Sequence, residues 1–168
     1  MRAVLLTAAV LLCLATTGHT QALPIDRLTP PLPTAGERHL ADLASWGTVL
    51  TAVALDAKGS WDAPDRTRAF LLQGARLGLA QGLTFGLKLA LHRARPCAPD
   101  TCGTDNPDYS FPSGHALLAG TAFGGPRLAV SVPFLIGTGG LRIAANKHFL
   151  TDTVAGALIG MAVGQWVR

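Results

Sequence analysis

One short stretch organises this chain: Tyr109-Ser110-Phe111-Pro112-Ser113-Gly114-His115. It places a proline, a small hydroxyl residue, a glycine and a histidine directly before an apolar run, residues 116–120, which is the pattern of a helix start. Backbone N–H groups at a helix N-terminus are unpaired and lie at the positive end of the helix dipole. We therefore expect Ser113 and Gly114 to offer donors to an anion such as phosphate, with His115 placed to transfer a proton.

The composition predicts a folded domain with one hydrophobic core. The chain has 168 residues, of which 49% are hydrophobic and 14% are charged, so most of it is not disordered. Its formal net charge is +4, and the longest basic run is His92-Arg93-Ala94-Arg95. A nucleic acid partner is therefore not expected.

The first 22 residues have the features of a secretory signal. Arg2 precedes an apolar run of 13 residues, Ala3–Ala15, against the roughly 20 that a spanning helix needs, and a small-x-small pattern ends at Ala22. We expect cleavage after Ala22, with retention as an anchor as the alternative. Residues 23–36 hold four prolines and are interpreted as a linker or surface strap, followed by a helical domain over residues 37–168.

After cleavage two cysteines would remain, Cys97 and Cys102. In an oxidising compartment such a pair most simply forms a disulfide that closes a short loop. A metal site is the poorer interpretation, because no second cysteine pair accompanies these two.

The fold class predicted is all-α, a compact bundle of about five helices after the signal peptide. No stretch shows sustained alternation of apolar and polar residues, so strands are not expected. Helices are predicted over residues 38–57, 66–92 and 152–167, with residues 58–65 as a loop and a further helix starting near Gly114.

Glycines recur every four residues on two of these helices. The first set is Gly74, Gly78, Gly82 and Gly86, and the second is Gly156, Gly160 and Gly164. Each glycine costs about 1 kcal/mol relative to alanine in a helix, so we expect both faces to pack closely against a neighbour, or against each other. The alternative is that they are incidental in a glycine-rich chain.

Two basic residues mark the end of the second helix. Lys88 and Arg95 are seven residues apart, which is two helical turns, and Pro96 predicts that the helix stops there. By themselves they are typical of solvated cations at a helix C-terminus.

A third cluster contains Arg142, His148 and Asp152. A carboxylate four residues from an imidazole can hold one ring nitrogen and leave the other with a free lone pair. Alone, such a pair is more often structural than catalytic.

The three groups occur in the order Lys88-x6-Arg95-Pro96, then Pro112-Ser113-Gly114-His115, then Arg142-x5-His148-x3-Asp152. This order and spacing is similar to the three-part signature of the type 2 phosphatidic acid phosphatase superfamily, which includes bacterial class A acid phosphatases and vanadium haloperoxidases. One departure is Leu141, where the family usually has serine.

The resemblance implies an exported, metal-independent phosphatase acting on phosphate monoesters or on lipid phosphates and diphosphates. His148 would attack phosphorus to give a phosphohistidine, Asp152 would orient it, and His115 would protonate the leaving oxygen and then activate water. The phosphoryl oxygens would be bound by Lys88, Arg95, Arg142, Ser113 and Gly114. Neither a metal nor a cofactor is expected. The alternatives are a haloperoxidase with vanadate as cofactor, which the small size argues against, and a non-catalytic envelope protein.

One short interval between two predicted site residues bears on where the protein is located. Only 26 residues lie between His115 and Arg142, interrupted by Gly124-Gly125-Pro126. Two helices of about 12 residues reach about 18 Å each, short of the roughly 30 Å hydrocarbon core. We therefore expect a periplasmic or exported domain with peripheral membrane contact. The alternative is an integral membrane protein with its site on the periplasmic face.

The loop at residues 98–108 lies beside the predicted site. It contains Asp100, Asp105 and Asp108, which we interpret as solvated loop charges. The alternative is that these carboxylates disfavour heavily anionic substrates.

Overall fold

The computed structural model describes residues 24–27, 34–97, 102, 105–123 and 128–167; the predicted signal peptide, residues 1–22, lies outside them. Within these ranges the chain forms five α-helices and no strands. The helices are α1 (Ala35–Trp61), α2 (Arg66–Leu91), α3 (Gly114–Phe123), α4 (Leu128–Ala144) and α5 (Leu150–Trp166), preceded by a 3₁₀ helix, Pro24–Arg27. The predicted all-α class is confirmed.

Local capping sets the bounds of α1 and α2. Thr34 caps α1 reciprocally with Glu37, so the last two residues of the predicted linker belong to the first helical turn. Asp65 caps α2 by accepting a hydrogen bond from the backbone N–H of Arg68 at 2.9 Å. The helix ends before His92, whose backbone adopts the left-handed conformation. The predicted loop at 58–65 shortens to 62–65, because α1 continues to Trp61.

Successive helices run in opposite directions along the bundle. The C-termini of α2 and α4 therefore lie at the same end as the N-termini of α3 and α5. Lys88 near the end of α2 contacts Tyr109 just before α3, and Ser113 contacts Asp152 in the first turn of α5. The helices α3 and α5 therefore run parallel. The sequence-predicted clusters all lie at this one end.

Glycines hold α3 and α5 unusually close. A Cβ at Gly156 would lie 2.6 Å from the carbonyl oxygen of Ser113, and one at Gly160 would lie 2.1 Å from that of Leu117. From the other side, a Cβ at Gly120 would lie 2.5 Å from the carbonyl oxygen of Ala157. The expected close packing of the last helix is confirmed at Gly156 and Gly160, and the neighbour is α3.

The corresponding prediction for α2 is wrong. A Cβ added at Gly74, Gly78, Gly82 or Gly86 would meet nothing within 4 Å among the described residues. The helix packs instead through a different side, which buries Gln73, Ala80 and Thr84. A four-residue glycine repeat permits close approach on one face, but it does not decide which face turns toward the bundle.

Large apolar side chains cover the outside of α1 and α2. Leu40, Leu50, Leu71 and Phe85 are each more than 60% exposed. Among the described helices, α1 is long and apolar enough to cross a bilayer, and only 17% of its most apolar stretch is buried. The apolar composition of α1 is therefore not explained by the core of the bundle.

Part of the predicted linker is integrated into the fold. Asp26, in the 3₁₀ helix, is 1% exposed and accepts hydrogen bonds from the backbone N–H and hydroxyl of Thr151 in α5. A surface strap was predicted, and this segment instead packs at the end of the bundle that carries the predicted clusters.

Candidate active site

His148 and Asp152 lie at the start of α5. The N-cap of this helix is Phe149, so α5 begins at Leu150 rather than at residue 152 as predicted. Asp152 accepts a hydrogen bond from the Phe149 N–H at 2.9 Å. His148, only 2% exposed, directly precedes the cap. Its Nδ1 atom lies 3.8 Å from Oδ2 of Asp152, on the side of the ring that faces the carboxylate.

The contact of the other ring nitrogen assigns the tautomer of His148. Arg95 Nη1 lies 3.2 Å from His148 Nε2. A guanidinium can only donate, so Nε2 accepts and the ring proton sits on Nδ1, toward Asp152. The lone pair needed for attack on an electrophile is therefore on Nε2, beside a cation.

Burial keeps this imidazole neutral. Complete desolvation, reinforced by the positive charges of Arg142, Arg95 and Lys88, holds the pKa of His148 well below its ordinary value. The contact with Asp152 is therefore between a neutral ring and a carboxylate rather than an ion pair. A neutral, buried imidazole is the form that can act as a nucleophile.

The three predicted cations converge from different elements, and acceptors of the protein orient each of them. Lys88 Nζ donates to the carbonyl oxygen of Tyr109 at 2.5 Å. Arg95 donates to the carbonyl oxygens of Asn106 and Lys147 at 2.9 and 2.8 Å. Arg142, at 2% exposure, is paired with Asp42 of α1. Such fixed donors are suited to an anion with several oxygens.

Ser113 and Gly114 lie at the N-terminus of α3. The backbone N–H of Ser113 was expected to bind an anion. It instead donates to the carbonyl oxygen of Asp152 at 3.0 Å and is not available to a ligand. The Ser113 hydroxyl is fully buried and keeps no partner in the described part of the chain. Gly114 is the first residue of α3, where a Cβ would approach Thr84 to 3.3 Å.

His115 packs against an aromatic ring that the sequence did not associate with the site. The centroids of the His115 and Trp46 rings are 4.2 Å apart in an edge-on arrangement. Burial, followed by the charge of Arg142, lowers the pKa of His115 to about 3. The free site therefore holds a neutral His115, and an anion that offsets the nearby cations would favour its protonation.

Several polar atoms of these residues are buried without a hydrogen-bond partner among the described residues. They are Ser113 Oγ, His115 Nε2, Arg142 Nε and His148 Nδ1. An unpaired buried polar group costs free energy, and native proteins rarely keep several together without a function. Nδ1 of His148 faces the Asp152 carboxylate, and the other three atoms, at the same end of the bundle, point to a polar ligand held there.

Asp105 was predicted to be solvated, and that expectation is wrong. Its Oδ2 atom lies 2.8 Å from Lys147 Nζ, 3.9 Å from Arg142 Nη2 and 4.0 Å from Arg95 Nη1. Partial burial acts to raise the pKa of Asp105, but the hydrogen bond from Lys147 and the surrounding cations outweigh it and lower the pKa. An ionised carboxylate therefore lies among the cations. Asp108 is exposed as expected, and Asp100 lies outside the described residues.

A disulfide joins Cys97 and Cys102, as predicted, with Cα atoms 5.3 Å apart. It lies directly beside the site, because Lys147 Nζ donates to the carbonyl oxygen of Cys102 at 2.5 Å.

Sequence reasoning missed the supporting residues from α1, the 3₁₀ helix and the loop after α2. Asp42 and Arg142 are 100 residues apart in the chain, and nothing in the local pattern links them. Arg93 appeared only as part of a basic run, yet it bridges Asp26 and Asp152.

Comparison with known proteins identifies the family of the chain. The sequence profile of the PAP2 superfamily matches residues 69–168. The chain is 34% identical over 110 residues to the decaprenylphosphoryl-5-phosphoribose phosphatase of Mycobacterium tuberculosis strain H37Rv, covering 60% of each protein. It is 36% identical over 115 residues to the Mycolicibacterium smegmatis protein of the same name, covering 62% of this chain and 61% of that one. The chain thus spans about 60% of the length of these relatives.

A solved structure shares the arrangement of helices. The transmembrane PAP2-type phosphatidylglycerolphosphate phosphatase of Bacillus subtilis superposes with a TM-score of 0.71 over 98% of this chain and 92% of that one, at 19% identity. That likeness shows the fold. The profile covers every residue from Lys88 to Asp152 that forms the cation and histidine cluster, and on this match the chain belongs to the PAP2 superfamily.

Proposed function

We propose that this protein is a phosphatase that hydrolyses lipid phosphate monoesters through a phosphohistidine formed on His148. The observation that carries the proposal is the set of buried, unpartnered polar atoms on Ser113, His115 and Arg142, at the same end of the bundle as Nε2 of His148. A phosphate ester supplies acceptors to the hydroxyl and guanidinium, an electrophile to His148 and a basic oxygen to His115.

In the first step, Nε2 of His148 attacks phosphorus as the bond from phosphorus to the ester oxygen breaks. His115 gives its proton to the departing alcohol oxygen. Burial, and after it the nearby cations, lower the pKa of His115. A bound phosphate dianion offsets the cations, which supports protonation of His115 in the complex. The Nδ1–H of His148 faces Asp152, which stabilises the positive charge that develops on the ring.

In the second step, neutral His115 takes a proton from water while the oxygen of that water attacks phosphorus. The bond between nitrogen and phosphorus breaks, inorganic phosphate leaves, and His148 returns to its starting form. Each step transfers one proton through His115, so the cycle balances without an oxidant or reductant.

Groups of the protein stabilise the negative charge of the phosphoryl group in this mechanism. Lys88, Arg95 and Arg142 face the negative charge of the phosphoryl group, and the N-termini of α3 and α5 add their dipoles at the same end. We propose that these groups fill the role that metal ions have in other phosphatases, so that the reaction needs no metal.

The lipid character of the substrate is inferred from the surface and from the relatives. The exposed apolar side chains of α1 include Leu43 and Leu50, on either side of Trp46, which contacts His115. A long hydrocarbon chain attached to the phosphate could lie along this surface. The names of the relatives, which specify a decaprenyl-linked phosphoribose phosphate, favour a polyprenyl lipid.

We further propose that the protein is membrane-bound, with α1 crossing the bilayer and the site near the outer interface. The exposed apolar face of α1 and the fold shared with a transmembrane phosphatase support this over the peripheral arrangement expected from helix length. Export by the signal-like residues 1–22 remains part of the proposal.

The decisive experiment compares wild type with His148→Ala on phosphatidate, a polyprenyl phosphate, a prenyl diphosphate and a soluble monoester, all in detergent. We expect release of phosphate from the lipid substrates by wild type, with loss of activity in the variant. Acid-labile phosphate should be trapped on the wild-type protein alone. Undiminished hydrolysis by His148→Ala would rule out the mechanism, and activity released from membranes by carbonate alone would rule out the membrane-spanning arrangement.

A further inference from the structure

Arg93 lies between two buried carboxylates at the edge of the site. Its Nη1 atom is 2.5 Å from Oδ1 of Asp152, and its Nη2 atom is 2.6 Å from Oδ2 of Asp26. The Arg93 side chain is 11% exposed, and both carboxylates are fully buried. The guanidinium also lies 4.8 Å from the centre of the Phe149 ring. This is a desolvated ion triad with little freedom to rearrange.

The carboxylate of Asp152 is fixed by donors from three parts of the chain. Arg93 binds Oδ1, and Oδ2 accepts from the Ser110 hydroxyl at 2.5 Å and from the Phe149 N–H at 2.9 Å. With both oxygens held, the carboxylate cannot rotate about its last bond. Its position 3.8 Å from His148 Nδ1 therefore depends on these donors.

Asp26 completes the arrangement from the N-terminal side. Its carboxylate accepts from the Thr151 N–H at 3.1 Å and from the Thr151 hydroxyl at 2.9 Å. Phe149, the N-cap of α5, has no side-chain oxygen to satisfy these first-turn donors, so Asp26 does so from a distant segment. The same carboxylate orients Arg93, so a change at Asp26 reaches Asp152 by two routes.

We propose that Arg93 and Asp26 are positioning residues for the reaction, acting through Asp152 on the orientation of His148. The 3₁₀ helix Pro24–Arg27 is then an obligatory part of the active site. The inference rests on the proposed function of His148 and Asp152 and adds two residues, and one segment, to the machinery.

The test uses Arg93→Gln, Arg93→Lys and Asp26→Asn in the full chain, with phosphatidate in detergent micelles as substrate. A matched control exists in Arg76 and Asp56, a partly buried arginine–aspartate pair between α1 and α2, away from the site, with Nη2 3.0 Å from Oδ1. We expect kcat to fall at least about ten-fold in Arg93→Gln and Asp26→Asn, as for a misplaced catalytic group, with KM within about two-fold. Arg93→Lys should recover part of the loss, and Arg76→Gln and Asp56→Asn should keep the wild-type kcat.

A merely structural role predicts a different result. The proposal would be overturned if kcat fell only in proportion to the fraction of folded protein and by the same factor as in the Arg76→Gln control. If Arg93→Gln fails to fold, the kcat of Asp26→Asn tests the proposal instead. This substitution preserves the shape of the side chain and removes only its charge. An unchanged kcat in Asp26→Asn would likewise overturn it.

A second readout separates this inference from the proposed function. The ¹⁵N chemical shifts of the His148 ring report which nitrogen carries the proton, whether or not the protein is an active phosphatase. We expect the Nδ1–H form in wild type, Arg76→Gln and Arg93→Gln, because Arg95 still faces Nε2 in each. The Nδ1 chemical shift should change in Arg93→Gln alone, because the carboxylate that faces Nδ1 is displaced there. Identical spectra in all three would reject the positioning role, while inactivity of wild type with the expected spectra would reject only the phosphatase proposal.

Discussion

The Nδ1 atom of His148 faces the Asp152 carboxylate at 3.8 Å, one helical turn away at the start of α5. The distance exceeds that of a hydrogen bond, and the other ring nitrogen is 3.2 Å from Arg95. The ring is thus held between a carboxylate on one side and a cation on the other. In this arrangement Nδ1 of His148 and the Asp152 carboxylate can move closer together as positive charge develops on the ring.

Replacing the carboxylate tests this relationship. In Asp152→Asn the amide keeps the size of the side chain but cannot stabilise a positive ring, so kcat should fall by roughly 10²-fold or more. Ser110→Ala, which removes only the 2.5 Å bond to Oδ2 of Asp152, should cost less. Both are measured by steady-state phosphate release, and equal losses in the two variants would contradict the assignment.

The pKa of His148 predicts how stability depends on pH. An unfolded histidine binds a proton near pH 6.5, whereas burial lowers the pKa of native His148 well below that value. The unfolded state therefore binds more protons, and the stability from a neutral His148 is fully present above about pH 6.5 and lost as pH falls. The slope from this one group is at most about 1.4 kcal/mol per pH unit. Urea unfolding of wild type and His148→Gln between pH 7 and 5 should differ by this slope, and parallel curves would contradict the prediction.

The two glycine faces predict opposite effects of the same substitution. In Gly160→Ala the new Cβ would lie 2.1 Å from the carbonyl oxygen of Leu117, so α3 and α5 must separate, at a cost of at least about 1–3 kcal/mol. In Gly78→Ala the methyl group meets open space, and the gain in helix propensity should stabilise by up to about 1 kcal/mol. Thermal unfolding by circular dichroism measures both. A destabilised Gly78→Ala would indicate a partner on that face of α2.

Asp105 should compete with anions for the cation cluster. Its carboxylate lies within 4.0 Å of Lys147, Arg142 and Arg95, and its lowered pKa keeps it ionised. In Asp105→Asn this charge is removed, so inhibition by inorganic phosphate and by orthovanadate should strengthen about three-fold or more. Asp108→Asn, at an exposed position of the same loop, should leave both inhibition constants unchanged. Weaker inhibition in Asp105→Asn would show that Asp105 supports the cations instead.

Features that depend on local sequence could be predicted before the structure was known. The start of α2 at Arg66 and its end at Leu91 agree with the helix predicted over residues 66–92 and with the stop expected from Pro96. A shared site for Lys88, Arg95, His115 and His148 was expected from the resemblance of their motifs to the family signature, since each group alone is more typical of a structural role.

Features that depend on contacts between distant segments could not be predicted. Asp42 and Trp46 lie on the apolar helix α1, and neither has a neighbour in sequence that indicates Arg142 or His115 as its partner. The glycine repeat of α2 was misinterpreted for a related reason. Close packing needs a partner on the same side, and one helix sequence does not contain that information.

The contact between Asp26 and Thr151 joins residues that are 125 positions apart in the chain. Contacts of such long range are entropically costly and form late in folding. During synthesis Thr151 leaves the ribosome 125 residues after Asp26. The emerging polypeptide therefore cannot assemble this end of the bundle, and a complete site first exists when the beginning and the end of the described chain meet.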